Sequence, residues 1–423
     1  MSLLMACSNT KKDPLQGQRE TVLFDSTMIV PDIKPVNHTV ILPQAHLIQD
    51  WPVVGGNIAH DVPVAQLNMN MTQAWSKSIG AGSSGQARLL NGPIAYNNII
   101  YTIDTQGLVT ATTLEDGRTL WQTTTHNDTK SGQEFSGGLA YANGLIFCAT
   151  SSAQIVIIDA KSGEVIKQLM LTAPARAAPI VDKNHVYAIT INNQIEVFNY
   201  ETGEPIWSHQ GMLESAGLLG GATPALAQQT IIVPYTSGEV YALNKTNGSV
   251  MWSESLTDTQ RLDPVSTIFH IKARPVIKGD TVYLISHGEI TKAVNLATGA
   301  ILWQHPLGGV RSPALAGDYL FMVTNAQKLI CLDRHNGKII WTHQLRAFED
   351  FETKKQPVLW AGPLMTSQGC LLVNSIGQFI TVSVQDGQIL QTVETKQPYL
   401  LSPIIVSQTL ILLSDNGELV AYR

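Results

Sequence analysis

LEDGRTLWQ (114–122) places a tryptophan four residues after a turn-forming glycine, and the arrangement recurs along the chain. It returns as YETGEPIWS (200–208), KTNGSVMWS (245–253), LATGAILWQ (296–304) and RHNGKIIWT (334–342). The turn glycines Gly117, Gly163, Gly203, Gly248, Gly299, Gly337 and Gly387 each follow a marker residue by 24 positions: Pro93, Leu139, Pro179, Pro224, Pro275, Pro313 and Pro363 in turn. Each unit therefore has a body of constant length, and insertions fall between units. Within a body, runs such as IIYTID (99–104) and LVTATT (108–113) are rich in β-formers and are separated by Gly, Asn and Asp. That pattern predicts antiparallel strands joined by tight turns. The glycine supplies a positive φ. The Asn or Asp four residues earlier (Asp159, Asn199, Asn244, Asn295, Asp333) can bond the turn backbone.

Four strands in a period of about 45 residues make a propeller blade. Seven full units end at Gln391, and an eighth begins at Pro403 and stops after three strands, at SDNGELVAYR. NMTQAWSKSI (70–79) is an orphan tryptophan strand ahead of the first unit. Joined, the two ends complete an all-β, eight-bladed propeller of four-stranded antiparallel blades over residues 69–423, with no open sheet edge between first and last blades. The tryptophans then cover apolar surface between adjacent blades.

The composition agrees with many short strands: 44% hydrophobic and 14% charged residues, with 33 glycines and 20 prolines. A net charge of −6 and the lack of a basic block argue against nucleic acid binding, which needs clustered Lys and Arg. No apolar run is long enough for a membrane-spanning helix. At the N-terminus, Leu4-Met5-Ala6-Cys7 resembles a bacterial lipobox. On that reading residues 1–6 are the remnant of a lipoprotein signal, Cys7 carries the lipid, and residues 7–68 are a tether that hangs the domain from a membrane or lies along its side. The competing reading is a chance cysteine near the terminus. Cys148, Cys331 and Cys370 lie in apolar runs and are expected to be buried thiols, with a Cys331–Cys370 pairing left open. The histidines lack metal-ligand spacing, and no Ser/His/Asp motif stands out. GAGSSG (80–85) matches G-x-G-x-x-G, but no helix pattern or βαβ unit surrounds it, so a loop is expected. No catalytic residue, cofactor site or metal site is therefore expected.

The longest insertions between units are 253–274 and 342–362, and both should emerge on one face of the ring. The second, THQLRAFEDFETKKQPVLWAG, carries Arg346, Phe348, Phe351, Lys354, Lys355 and Trp360. Arg beside aromatics suits a partner-binding hot spot at Arg346 and Phe348. The alternative is that the aromatics pack the loop onto itself.

ALNKTNGSVMW (242–252) and AVNLATGAILW (293–303) resemble the tryptophan-docking repeat of quinoprotein-type propellers. Two families carry such repeats on eight blades: the pyrroloquinoline-quinone alcohol dehydrogenases, and the BamB-like lipoproteins of the outer-membrane β-barrel assembly machinery. The dehydrogenases carry a vicinal Cys-Cys, which is missing here. The resemblance to the BamB-like family covers about residues 48–423. It implies a non-catalytic, cofactor-free, monomeric scaffold, lipid-anchored on the periplasmic side of the outer membrane. Its partners would be the periplasmic domains of the barrel insertase and unfolded outer-membrane proteins. GLLGGATPAL (217–226) resembles the family's insertase-contacting loop: Leu218 and Gly220 match, and Leu219 stands where the family has Arg, so a salt bridge there would be missing. TQRLDPVS (259–266) offers Arg261, Leu262 and Asp263 for the second contact loop. The alternatives are a quinone-dependent dehydrogenase and a scaffold for another envelope complex.

Overall fold

The computed structural model describes residues 29–32, 39–68, 70–85, 87–125, 137–175, 177–213, 220–257, 270–288, 290–350 and 352–423. The chain divides into two units, Met1–Val30 and the far larger Pro31–Arg423. It contains eight four-stranded antiparallel sheets and one two-stranded hairpin, with no α-helix among the described residues. Blade 1 shows the plan: Ile94–Tyr96, Ile99–Ile103, Leu108–Thr113 and Thr119–Thr124 run from the innermost strand outward. The eighth blade joins Ile404–Val406, Thr409–Leu413 and Glu418–Tyr422 to Gln73–Ser78 from the other end of the chain, so the ring closes as the repeat count requires.

Turn chemistry sets the register. Asn97 and Asn98 take φ values of 50° and 59°, the paired left-handed geometry of a two-residue hairpin whose twist matches the strands. At the outer hairpin of each of the seven full units the register shifts by one residue, next to the repeat glycine. Asn295 illustrates the clamp: its Oδ1 accepts from the backbone N–H of Ala297 at 3.1 Å and Thr298 at 3.0 Å, while Gly299 N–H donates to the Asn295 carbonyl at 2.8 Å.

The glycine also makes room for the tryptophan of the preceding blade. A Cβ on Gly299 would lie 2.8 Å from Cγ and Cδ2 of Trp252. Gly117, Gly163, Gly248, Gly337 and Gly387 meet Trp75, Trp121, Trp207, Trp303 and Trp341 in the same way. Each of these indoles then donates Nε1–H to a carbonyl of the neighbouring blade: Trp75 to Leu114 at 3.0 Å, Trp121 to Ala160 at 3.0 Å, Trp207 to Lys245 at 3.1 Å, Trp252 to Leu296 at 2.8 Å, Trp303 to Arg334 at 2.8 Å and Trp341 to Val384 at 2.8 Å. Blade 2 has Lys167 in the tryptophan place, and its ammonium donates to the Tyr200 and Glu201 carbonyls instead. Cys148, Cys331 and Cys370 are buried thiols, and Cys331 and Cys370 are not joined in a disulfide. Burial pushes the Cys370 thiol well above its ordinary range, and does the same to Cys331, which Cys370 reinforces.

Candidate functional site

An antiparallel meander sends alternate turns to opposite faces of the ring. The connections between blades leave on one face, together with the turns between second and third strands. The two-residue turns between first and second strands lie on the other face.

Residues 39–68 run against that second face and into the central channel. Trp51 exchanges backbone hydrogen bonds with Ala95 in blade 1 at 2.6 and 2.8 Å. Tyr141 N–H in blade 2 donates to the Pro52 carbonyl, Leu226 in blade 4 to Ile58, Ile277 in blade 5 to Ala59, and Ser407 in blade 8 to Ile48. Ala65 N–H donates to the Met365 carbonyl in blade 7. The segment thus pairs with inner strand edges that would otherwise hold unsatisfied backbone groups. Trp51, Val53 and Val54 are buried, and Asp61 is ion-paired to Lys278 at 3.1 Å.

Above this floor the channel keeps a cavity of ≈ 70 Å³. Its walls are the residues just ahead of the inner strands, including Asn91, Gly220, Gly221, Ser312 and Ser402. Three cations line it: Lys272, Arg274 and Arg311. Among the described residues no carboxylate does so. Burial and the neighbouring Arg311 lower Lys272 to about 8. Burial and Arg311 lower Arg274 to about 10, and burial lowers Arg311 to about 10. Arg311 Nε–H donates to the Trp360 carbonyl at 2.9 Å, and the backbone N–H of Arg274 donates to Ser312 Oγ at 2.9 Å. The Nε of Arg274 is buried without a hydrogen-bond partner. Beneath it lies His60, whose Nδ1 bonds the Pro275 carbonyl at 2.8 Å. Burial, then Arg274, holds that imidazole down to about 3. The repeat reading missed these groups. Their signal is positional: Arg274 directly precedes Pro275, and Arg311 lies two residues before Pro313.

On the interblade face, the insertion after blade 6 forms the hairpin Phe348–Asp350 and Lys355–Pro357. Arg346 is exposed, and its guanidinium donates to the carbonyls of Phe348 at 3.1 Å and Glu349 at 2.9 Å. Phe348 is half-buried. Trp360 is fully inside and donates Nε1–H to the Arg346 carbonyl at 2.8 Å, so it fastens the base of the hairpin. At the tip, Asp350 accepts from the Thr353 hydroxyl and from backbone N–H groups, which hold its carboxyl below the usual range. Lys354 and Lys355 are exposed. The other expected partner-binding residues, Leu218, Leu219, Arg261, Leu262 and Asp263, lie outside the described residues, as do Cys7 and Phe351.

The glycine-rich loop at 80–85 is packed against structure. A Cβ on Gly80 would lie 2.3 Å from Asp104 Oδ2, and one on Gly82 would lie 2.3 Å from the Asn416 backbone. Ala81 N–H donates to Asp104 Oδ2 at 2.8 Å, so a carboxylate already occupies the position a phosphate would need. Among the described residues no group of His, Cys, Asp and Glu is arranged to hold a metal ion.

Among curated sequences the chain is 24% identical over 254 residues to the outer membrane protein assembly factor BamB of Yersinia pestis, covering 59% of this chain and 64% of that protein. The matched stretch spans 54% of the rickettsial relatives that also align. Among solved structures, BamB from Moraxella catarrhalis superposes with a TM-score of 0.70 at 16% identity, covering 84% of this chain and 100% of the other. A europium-containing methanol dehydrogenase superposes with a TM-score of 0.68 at 15% identity, covering 86% of this chain and 89% of that one. These two likenesses show a shared fold. The sequence model described as outer membrane protein assembly factor BamB matches residues 105–343, more than half the chain, and the chain belongs to that family.

Proposed function

We propose that this protein is a non-catalytic scaffold of the outer-membrane β-barrel assembly machinery that binds the periplasmic domains of the insertase through its interblade face. Cys7 would carry the lipid that holds it to the periplasmic side of the outer membrane. The observation that carries the reading is the membership of residues 105–343 in the BamB family. The hairpin after blade 6 supports the choice of face. It is a hairpin with Arg346 and Phe348 at its base, and Trp360 bonds the Arg346 carbonyl from within. Preorganised Arg and aromatic anchors lose little entropy on binding. The reading adds Leu218, Leu219, Arg261, Leu262 and Asp263 as the contact residues that the family resemblance suggests. Exposed outer-strand edges suit extended segments of unfolded barrel proteins.

The test is binding of the full chain to the insertase's periplasmic domains, alongside two variants: Leu218→Glu with Arg261→Glu, and Phe348→Glu. Micromolar or tighter binding that the double variant loses supports the reading and its face. Loss with Phe348→Glu extends the contact to the hairpin. A folded protein that does not bind at high concentration removes the insertase as partner and leaves a scaffold for another envelope complex. Substrate oxidation by the protein supplied with quinone and calcium would overturn the non-catalytic assignment.

A further inference from the structure

Among the described residues the channel cavity gathers cations without acids. Lys272, Arg274 and Arg311 converge on it, and the described walls supply no carboxylate. All three are only partly exposed, and a cation drawn away from solvent is ordinarily met by a counter-charge. Arg274 also borders a second cavity of ≈ 50 Å³ on the side of His60, and that cavity too has no acid in its described lining. The neutral imidazole of His60 adds no charge to offset. The Arg311 guanidinium is tied to the Trp360 carbonyl, the backbone of Arg274 is bonded to Ser312 Oγ, and Lys272 Cε lies beside Gly220.

From this geometry we infer that the channel binds a small oxyanion, phosphate or sulfate in size, on Lys272, Arg274 and Arg311, with the Ser312 and Ser402 hydroxyls and the Gly220–Gly221 backbone at its rim. Charge-assisted bonds from Arg suit a tetrahedral oxyanion, which two guanidinium forks can share. Size sets the class. A volume of ≈ 70 Å³ accepts a few waters or one small anion. Multi-ring organic ligands need about 300 Å³ or more. The anion would join the connection before blade 5, which carries Lys272 and Arg274, to the connection before blade 6, which carries Arg311. It would act as a removable pin between those two connections.

The experiment uses the full chain in a chloride-based buffer near neutral pH. Inorganic phosphate is titrated in at constant ionic strength, read by calorimetry and by the unfolding temperature. Saturable one-to-one binding is expected, with Tm rising by a few degrees once phosphate exceeds Kd by about a hundredfold. Lys272→Gln and Arg311→Gln should each weaken binding at least about tenfold. Arg88→Gln, at an exposed ion pair with Asp415, should leave it unchanged. Should an arginine variant fail to fold, Lys272→Gln at the channel rim and the wild-type titration still decide. Phosphate that acts only as sodium chloride does, or binding that Lys272→Gln leaves intact, overturns the inference. Saturable binding of a glutamate-rich peptide without any of phosphate or sulfate also overturns it, and would assign the cations to an acidic side chain of a partner.

Discussion

The repeat glycine carries two loads, and they are separable. At Gly299 the backbone needs φ of 74° and the Trp252 indole sits where a Cβ would go. At Gly279 φ is 59° but nothing lies within 4 Å. Gly279→Ala should therefore lose only the conformational term, about 1 kcal/mol. Gly299→Ala should lose about 2–3 kcal/mol, because the indole must shift as well. Denaturant unfolding of the two variants checks this, and equal losses would show that tryptophan docking adds no constraint. His60 gives a second residue-scale expectation. Its folded value of about 3 lies below the ordinary 6.5, so the unfolded chain binds the proton first. Its contribution to stability is complete above about pH 6.5 and is lost as pH falls toward 3. A His60→Gln variant should show a flatter Tm profile across that window than the parent, whatever its absolute stability.

At the scale of the element, blades 2 and 7 carry Lys167 and Gln391 in the tryptophan place, and blade 2 tests the rule. Lys167 reaches two carbonyls of blade 3 where its counterparts stack an indole on a glycine. Gly203 opposite it still has φ of 86°, and a Cβ there would meet only Leu169 and Lys167 at ordinary distances. The receiving site is thus intact. Lys167→Trp should restore the dock and stabilise the fold by about 0.5–1 kcal/mol, a gain of one or two degrees in Tm. A fall in Tm would mean that the space between blades 2 and 3 has closed around the lysine.

For the whole molecule, the ring and its floor make different predictions. Glu418–Tyr422 lies between Thr409–Leu413 and Gln73–Ser78, so it bridges the two chain ends. A chain truncated after Asn416 loses that bridge and strips the partner from the first strand. It should lose cooperative thermal unfolding and elute as aggregate, since two unpaired edges invite association. Trp51→Ala acts on the floor instead. It empties a buried site between the channel segment and blade 1, and should cost about 3–5 kcal/mol while leaving the circular dichroism of the blades in place.

Much of this architecture was legible in the linear pattern, and the reason is locality. A blade is built from contacts within one unit and with the next, so the fixed 24-residue body, the Asn-to-Gly turn and the tryptophan spacing determine fold class, blade number and closure. The roles of the repeat glycine and indole followed for the same reason. What the tertiary structure alone decided are the features that cross the ring. Residues 48–65 pair with blades 1, 2, 4, 5, 7 and 8, partners that are remote in sequence and share no motif with them. The cations of the channel come from two different connections, and each looks like an ordinary exposed residue before a proline until the ring turns both toward one axis. Local periodicity reports which face of a strand is buried. It carries no information about what eight strand ends, once gathered around a common centre, place opposite one another.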